Sequence, residues 1–248
     1  MIGRLLAALL FCHGAQAAGV VSLNLCTDQY LVQLAPEQVA ALSPLARDPS
    51  LSVVAAEAAR LPWVRADAEA VLKLAPDWVL AADWGAQTTL QALERRGVRV
   101  VRSALPEDCP AIRVETLRLA RLLGVEARGV ALLAQMDATL AQVVPGPALA
   151  ATVLEPRGYT AGAGSLADSV LRAAGLRNAG MGRRQDLETL LAHPPALLVM
   201  TDAPAYPSLA TDFLRHPALA RLPTRHLPPA SLVCGGPWSA DAVRALAP

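Results

Sequence analysis

The sequence predicts an α/β protein of two lobes with mainly parallel sheets, joined by one long central helix. Apolar runs alternate with segments of helical period, which is the pattern of parallel strand-helix-strand units. A longer helical segment, residues 125–144, interrupts this alternation mid-chain and is stopped by a Pro-Gly-Pro sequence. The same pattern, a helix followed by a proline and an apolar strand, occurs on both sides of this helical segment, at Ala68–Leu80 and Leu187–Val199. Because the same unit occurs twice, we expect two lobes with the same architecture.

The first 17 residues resemble an export signal. Arg4 is followed by the apolar stretch Leu5–Phe11 and by Ala-Gln-Ala, which suits signal peptidase. The stretch is too short for a membrane anchor, and the bulky Phe11 fits poorly before a lipidated Cys12. We therefore predict cleavage after Ala17, export of the protein and a mature chain of 231 residues (248 minus 17).

The amino-acid composition limits the classes of function that the protein can have. An apolar fraction of 54% is ample for a substantial core. The 22 basic and 21 acidic residues give a net charge of +1 and are scattered along the chain. This balance lacks the basic footprint of a nucleic-acid-binding protein, so we expect no nucleic acid partner.

The first lobe is predicted to span residues 18–124. Apolar runs indicate its strands, and segments of helical period between them indicate its helices. The predicted strands are Val20–Leu25, Val39–Leu42, Trp78–Ala82 and Val98–Arg102. The predicted helices are Thr27–Leu34, Leu51–Ala59, Asp67–Leu74, Gln87–Arg96 and Ile112–Leu123.

The linking helix is assigned to residues 125–146 and the second lobe to residues 147–248. The same alternation resumes in the second lobe, so both lobes are predicted to be Rossmann-like. Its predicted strands are Leu149–Leu154, Ala196–Thr201 and Thr224–Leu227. Its predicted helices are Leu166–Ala174, Leu187–Ala192, Ser208–Leu214 and Ser239–Leu246.

Candidate binding residues lie where strands end, because ligands of open α/β sheets bind at those ends. Asn24, Cys26, Thr27 and Asp28 lie between the first strand and its helix, whose backbone N–H groups are suited to an anionic group. Capping of the helix is an equally good explanation for Thr27 and Asp28.

Aromatic residues stand at other strand ends. Asp83 and Trp84 follow the third strand, Tyr159 follows the first strand of the second lobe, and Trp238 follows a loop containing Cys234. Aromatic rings suit flat, partly apolar ligands because they offer large contact area at little entropy cost. The alternative is that each ring fills a lobe core; a cleft position is favoured for Trp84 and Trp238.

Three further charged residues are weaker candidates. Arg47 and Asp48 follow the second strand, and Arg157 follows the first strand of the second lobe. The planar guanidinium can hold carboxylates or catecholates in a bidentate manner. A lone arginine is more often a solvated surface group.

Three cysteines remain after the predicted cleavage. Cys26 and Cys234 have three possible roles: a disulfide across the cleft or hinge, ligation of a metal or chelate, or two inert thiols. The pair lacks the spacing of a zinc or iron-sulfur site, which places the disulfide slightly ahead. Cys109, between prolines, is interpreted as a structural or incidental thiol.

Five segments of the sequence carry a family resemblance: VVSLNLCTDQYL, AVLKLAPDWVLA, GYTAGAGSLADSVLRAAGL, LETLLAHPPALLVM and CGGPWSADAVRALA. Together they resemble the substrate-binding proteins of ABC importers for ferric siderophores, haem and cobalamin. The resemblance covers essentially the whole mature chain. It implies a monomeric periplasmic receptor with no cofactor, no metal site of its own and no enzymatic activity. Such a receptor captures a small-molecule iron or cobalt chelate, cobalamin or ferric siderophore ahead of haem, and delivers it to an inner-membrane permease.

The same resemblance implies a docking surface for the permease. In this family a glutamate on each lobe typically pairs with permease arginines, and Glu57 and Glu188 are the best-matching positions. An exposed helical glutamate needs no such role, and Glu188 in a first helical turn is favourable to the helix dipole by itself.

Three other functions compete. A receptor for free zinc or manganese would want several His and carboxylate ligands, whereas the mature chain offers only His193, His216 and His226. An exported hydrolase or thiol enzyme would show a motif such as G-x-S-x-G, C-x-x-C or H-E-x-x-H, and none occurs. A two-lobed structural or adaptor protein without a small ligand stays open.

Overall fold

The computed structural model describes residues 19–144, 146–201 and 209–247. They form two sheets, each of four parallel strands, in the orders β2-β1-β3-β4 and β6-β5-β7-β8. The order is the same in both, with the first strand of each lobe beside its second and third. The first sheet comprises β1 (Val20–Ser22), β2 (Val39–Ala41), β3 (Trp78–Ala82) and β4 (Arg99–Ser103). The second comprises β5 (Ala150–Leu154), β6 (Arg177–Asn178), β7 (Leu197–Thr201) and β8 (Thr224–Leu227).

Helices connect the strands and cover the sheets, which confirms the predicted two-lobe α/β fold. Short 3-10 turns supplement the helices in the loops. The helices are α1 (Leu25–Leu34), α2 (Ala55–Ala58), α3 (Ala68–Lys73), α4 (Gln87–Arg95), α5 (Cys109–Leu122), α6 (Glu126–Leu140), α7 (Leu166–Ala173), α8 (Leu187–Ala192) and α9 (Ser239–Leu246). No helix in the described parts of the chain is long and apolar enough to cross a membrane.

Two predicted helices are replaced in part by turns, and the linking helix predicted over residues 125–146 ends at Leu140. The segment predicted as Leu51–Ala59 is helical only over α2, because Asp48 and its neighbours form a turn first. The predicted helix Ser208–Leu214 begins on a residue outside the described ranges; residues 209–211 form a turn, and the 3-10 turn Asp212–Arg215 follows. The predicted signal peptide, residues 1–17, also lies outside the described residues.

Helix α6 runs between the lobes, and α5 packs along it. Near the start of α6, Arg128 donates to the carbonyl oxygen of Leu34 at 3.0 Å, and Met136 near its end is buried among core residues of the second lobe. Helix α5 spans both cores in the opposite direction: Ile112 packs with the second lobe and Leu119 with the first. The connection is therefore a pair of packed helices, of which α6 carries the chain across.

The C-terminal segment crosses between the lobes as well. After β8 the chain places Cys234 and Trp238 in the core of the first lobe, against Tyr30, before α9 returns to the core of the second lobe. An added Cβ at Gly235 would lie 1.9 Å from the carbonyl oxygen of Pro106, so only glycine permits this crossing. The lobes are thus held together by α5, α6 and this segment.

Candidate functional site

The strand order fixes where a cleft can form. In the first sheet β1 lies between β2 and β3, so the chain leaves β1 in one direction and later continues on its other side. The second sheet repeats this at β5, between β6 and β7. Such switch points open a crevice at the carboxyl ends of the strands, where open α/β proteins bind ligands.

Two adjoining cavities occupy these strand ends. One, of about 560 Å³, lies at the carboxyl ends of the first sheet, and the other, of about 390 Å³, lies between that sheet and the loops of the second lobe. Cys26, Leu105 and Val233 line both cavities, so the two adjoin, and together they are called the inter-lobe cleft. Its size is that of a site for a drug-sized or larger organic ligand.

The wall from the first lobe is largely apolar. Leu45 and Trp84 line it and remain exposed, Trp84 by 63% of its surface, and Val233 joins them from the C-terminal segment. Gly85 and Ala86, with φ of 80° and 51°, form a left-handed turn directly after Trp84. The result is an indole and aliphatic surface left uncovered beside the cleft.

The opposite wall is polar and comes mainly from the loop after β5. Glu155 and Tyr159 line it from this loop, and Tyr159 is 49% exposed. Between them Gly158 turns the chain with a φ of 80°, where an added Cβ would lie 2.7 Å from the carbonyl oxygen of Gln185. A tight glycine turn therefore presents the phenol ring to the cleft.

A disulfide between Cys26 and Cys234 lies at the base of the cleft and links α1 to the C-terminal segment, with a sequence separation of 208. The indole N–H of Trp238 donates to the carbonyl oxygen of Cys234 at 2.9 Å, and its ring lies 5.1 Å from that of Tyr30. The predicted cleft position of Trp238 is wrong, because the ring packs into the core of the first lobe and is only 9% exposed.

Of the four residues predicted at the end of the first strand, Asn24 and Cys26 line the cleft. Asn24 also caps α1, its side-chain oxygen accepting from the backbone N–H of Cys26 at 2.9 Å. Thr27 and Asp28 are fully buried in the lobe and do not face the cleft. Thr27 is held by the carbonyl oxygen of Asn24, at 2.9 Å, and by Ser22.

Asp28 is a buried carboxyl group beneath the cleft wall. It accepts from the backbone N–H of Ser43 at 3.2 Å and from the Ser43 hydroxyl at 2.5 Å. Burial raises the pKa of Asp28 from 3.8 to about 7, although these hydrogen bonds and that of Ser22 act to lower it. The Asp28 carboxyl group therefore forms hydrogen bonds inside the lobe and does not face the cleft.

The remaining charged candidates are absent from the described cleft lining: Arg47, Asp48, Asp83 and Arg157. Arg47 donates to the carbonyl oxygens of Ala58 and Leu61, at 3.2 and 2.7 Å, so its guanidinium fastens a loop. The carboxylate of Asp48 accepts from Ser50. Asp83 is exposed beside Trp84, and Arg157 is exposed in the turn before Tyr159. These four residues lie outside the lining of both cavities, and their contact with a ligand stays a prediction.

Sequence reasoning missed several lining residues. Leu45 and Arg65 come from loops after β2, Leu105 and Glu107 from the loop after β4, and Val233 from the residue next to Cys234. Their position after parallel strands was the available signal. The described residues include no group of three or more His, Cys, Asp or Glu that could hold a metal ion.

Glu57 and Glu188, the predicted docking residues, are both exposed, on α2 and α8. In the structure the residue of the first lobe that is equivalent to Glu188 is Glu69 and not Glu57, because α3 and α8 begin in the same way. Asp67 caps α3 and accepts from the N–H three residues on at 2.8 Å, and Asp186 caps α8 in the same manner at 2.7 Å. Glu69 therefore occupies in α3 the position that Glu188 occupies in α8, and it is also exposed.

Comparison with known proteins agrees with this architecture. A periplasmic haem-binding protein from Pseudomonas aeruginosa is 26% identical, with 92% of this chain and 90% of that chain covered and a TM-score of 0.71. A periplasmic haem-binding protein from Roseiflexus sp. RS-1 is 24% identical, with 93% and 96% covered and a TM-score of 0.72. An ABC-type Fe3+-hydroxamate transport protein from Saccharomonospora viridis is 20% identical, with 93% and 92% covered and a TM-score of 0.62.

No match was found among curated proteins. The model of the family described as periplasmic binding protein matches residues 20–225, which is most of the chain and includes every strand of both sheets apart from the end of β8. The protein therefore belongs to the periplasmic binding protein family.

Proposed function

We propose that this protein is the periplasmic solute-binding component of an ABC importer, which captures an iron or cobalt chelate in the inter-lobe cleft. The observation that carries the proposal is the pair of adjoining cavities at the carboxyl ends of both sheets, one with an aromatic and aliphatic lining and the other with a polar one. The family and the haem and hydroxamate transport proteins of similar fold support it. Proteins of this kind bind and deliver a solute and do not transform it.

The lining residues favour a chelate whose metal keeps its own ligands. The described lining contains no His or Met, and its two cysteine sulfurs are joined to each other. A cobalamin or a ferric siderophore needs no ligand from the protein, because its own donors fill the coordination sphere.

Haem is the second candidate, and one observation favours it. Tyr159 presents its phenol to the cleft, and a tyrosine oxygen is an established axial ligand of haem iron. A haem-iron charge-transfer band that disappears in Tyr159→Phe would support this candidate, whereas an unchanged spectrum would favour a chelate with a complete coordination sphere.

Delivery to the permease is assigned to one carboxylate on each lobe. We place these at Glu69 and Glu188, whose equivalent positions make a symmetric pair, and replace the predicted Glu57 by Glu69. The double charge reversal Glu69→Arg/Glu188→Arg is expected to abolish import and leave chelate affinity unchanged, as measured by uptake into cells and by titration. Glu57→Arg is the matched control, and loss of import in this control alone would contradict the assignment.

The binding proposal is tested by titrating the purified protein with cobalamin, ferric siderophores and haem, and following tryptophan fluorescence. Trp84→Ala is expected to weaken binding of the chelate by about tenfold or more, since a large aromatic contact is lost. Trp63, 46% exposed and outside the cleft, supplies the control Trp63→Ala. Absence of binding by every chelate, or equal affinity of Trp84→Ala and the wild type, would contradict the proposal.

A further inference from the structure

The part of the cleft that faces the second lobe carries negative charge. Among the described residues that line the cavity of about 390 Å³, the charged ones are Glu107 and Glu155. Glu107 lies between β4 and α5, and Glu155 follows β5 directly, so they reach the cavity from different loops. Both are exposed, and neither forms an ion pair with a described residue.

Basic residues lie elsewhere. Arg157, Arg183 and Arg184 belong to the neighbouring loops of the second lobe, but none of them is in the described lining of the cleft. The basic side chain of that lining is Arg65, which lines the other cavity, on the first lobe. The described lining of that cavity therefore contains no cation beside the two carboxylates.

The negative charge of this cavity favours the binding of some chelates over others. A carboxylate accepts hydrogen bonds strongly from amides and from ammonium groups, and a charge-assisted hydrogen bond is worth about a tenfold gain in affinity. It repels an anion: two like unit charges about 6 Å apart in water lower affinity by about threefold. Haem propionates or catecholates that face this wall would suffer that repulsion, whereas carboxamides would gain hydrogen bonds.

The opposite wall fixes which side of the ligand faces the carboxylates. Trp84, Leu45 and Val233 offer an apolar surface that suits the hydrocarbon part of a chelate. The donor-rich part is then left for the side of Glu107 and Glu155.

We infer that the cleft selects chelates with a neutral or cationic periphery rich in hydrogen-bond donors, and that Glu107 and Glu155 set this selectivity. The inference rests on the proposed function, because it names the substrate class of the same cleft. It orders the candidates: a cobalamin with its carboxamides or a cationic ferric hydroxamate precedes an anionic catecholate or haem.

The test compares wild type with Glu107→Gln/Glu155→Gln, and uses Glu57→Gln as the control. The probes are cyanocobalamin, ferrioxamine B, ferric enterobactin and haem, titrated at low and at high salt. Wild type is expected to bind a neutral or cationic probe most tightly. The double variant should lose about tenfold for that probe and gain threefold or more for the anionic ones, the gain shrinking at high salt because salt screens charge.

The outcomes separate the two proposals. Tightest binding of haem or enterobactin by wild type, unchanged in the double variant, would overturn this inference and leave the proposed function intact. An equal change in the Glu57→Gln control would also overturn it, because the effect would then be unrelated to the cleft. Failure of every probe to bind wild type would refute the proposed function and, with it, this inference.

Discussion

Breaking the disulfide between Cys26 and Cys234 is expected to lower the free energy of unfolding by several kcal/mol. The bond joins residues 208 positions apart, from α1 to the segment before α9. In the chain-entropy model a closed loop of this length restricts the unfolded chain by on the order of 5 kcal/mol at 25 °C. Both half-cystines are buried, so the bond also fills space in the core of the first lobe.

The assay is denaturant and thermal unfolding of three samples: oxidised wild type, wild type reduced by dithiothreitol, and Cys26→Ala/Cys234→Ala. A loss of this size lowers the melting temperature by about 10 °C or more in a chain of this length. Cys109, a half-buried free thiol, provides the control Cys109→Ala, with an expected loss of about 1 kcal/mol or less. Coincident unfolding curves for the oxidised, reduced and double-variant proteins would refute the reasoning.

Two further predictions concern the interior. Because the pKa of Asp28 is raised from 3.8 to about 7, the folded state holds its proton more tightly than the unfolded chain, and this stabilisation, complete below 3.8, is lost as pH rises through about 7. Asp28→Asn should therefore gain stability relative to wild type as pH rises from about 4 to about 7 in denaturant unfolding, and a pH-independent difference would contradict this. Gly235→Ala, whose Cβ would lie 1.9 Å from the carbonyl oxygen of Pro106, should destabilise by about 1–3 kcal/mol, and an unchanged melting temperature would argue against the close crossing.

Strands such as β3 and β7 could be predicted because their sequences are apolar runs with clear boundaries. The run Leu197–Thr201 follows two prolines and is buried through its first four residues, as a central parallel strand requires. The strand β6 escaped prediction because it is the two-residue edge strand Arg177–Asn178, whose polar side chains give no apolar run. Edge strands need less burial and therefore leave a weaker pattern.

The sequence predicts where the cleft lies, but it does not predict which side chains line it. Topology brings strand ends together, which is why Asn24, Cys26, Trp84 and Tyr159 are in the lining. Which residues near a strand end face the cleft depends on where the following helix begins. Helix α1 starts at Leu25, two residues earlier than predicted, and Thr27 and Asp28 are therefore buried inside the lobe.

A disulfide between Cys26 and Cys234 was the possibility that the sequence placed slightly ahead of two others, and the structure contains it. Three mature cysteines permit three pairings, and only the crossing of the C-terminal segment brings Cys234 to α1, with Cα atoms 5.3 Å apart. The same crossing takes Trp238 away from the cleft, because its ring packs beside Tyr30 under the disulfide. A local pattern cannot report such a long-range contact.

The most direct test of the account is an anomalous difference map, recorded at the iron or cobalt absorption edge, from crystals grown with the chelate that binds in titration. The account predicts one strong metal peak inside the inter-lobe cleft, between the indole of Trp84 and the phenol of Tyr159. A metal peak on the outer surface of either lobe, with the cleft empty, would contradict it.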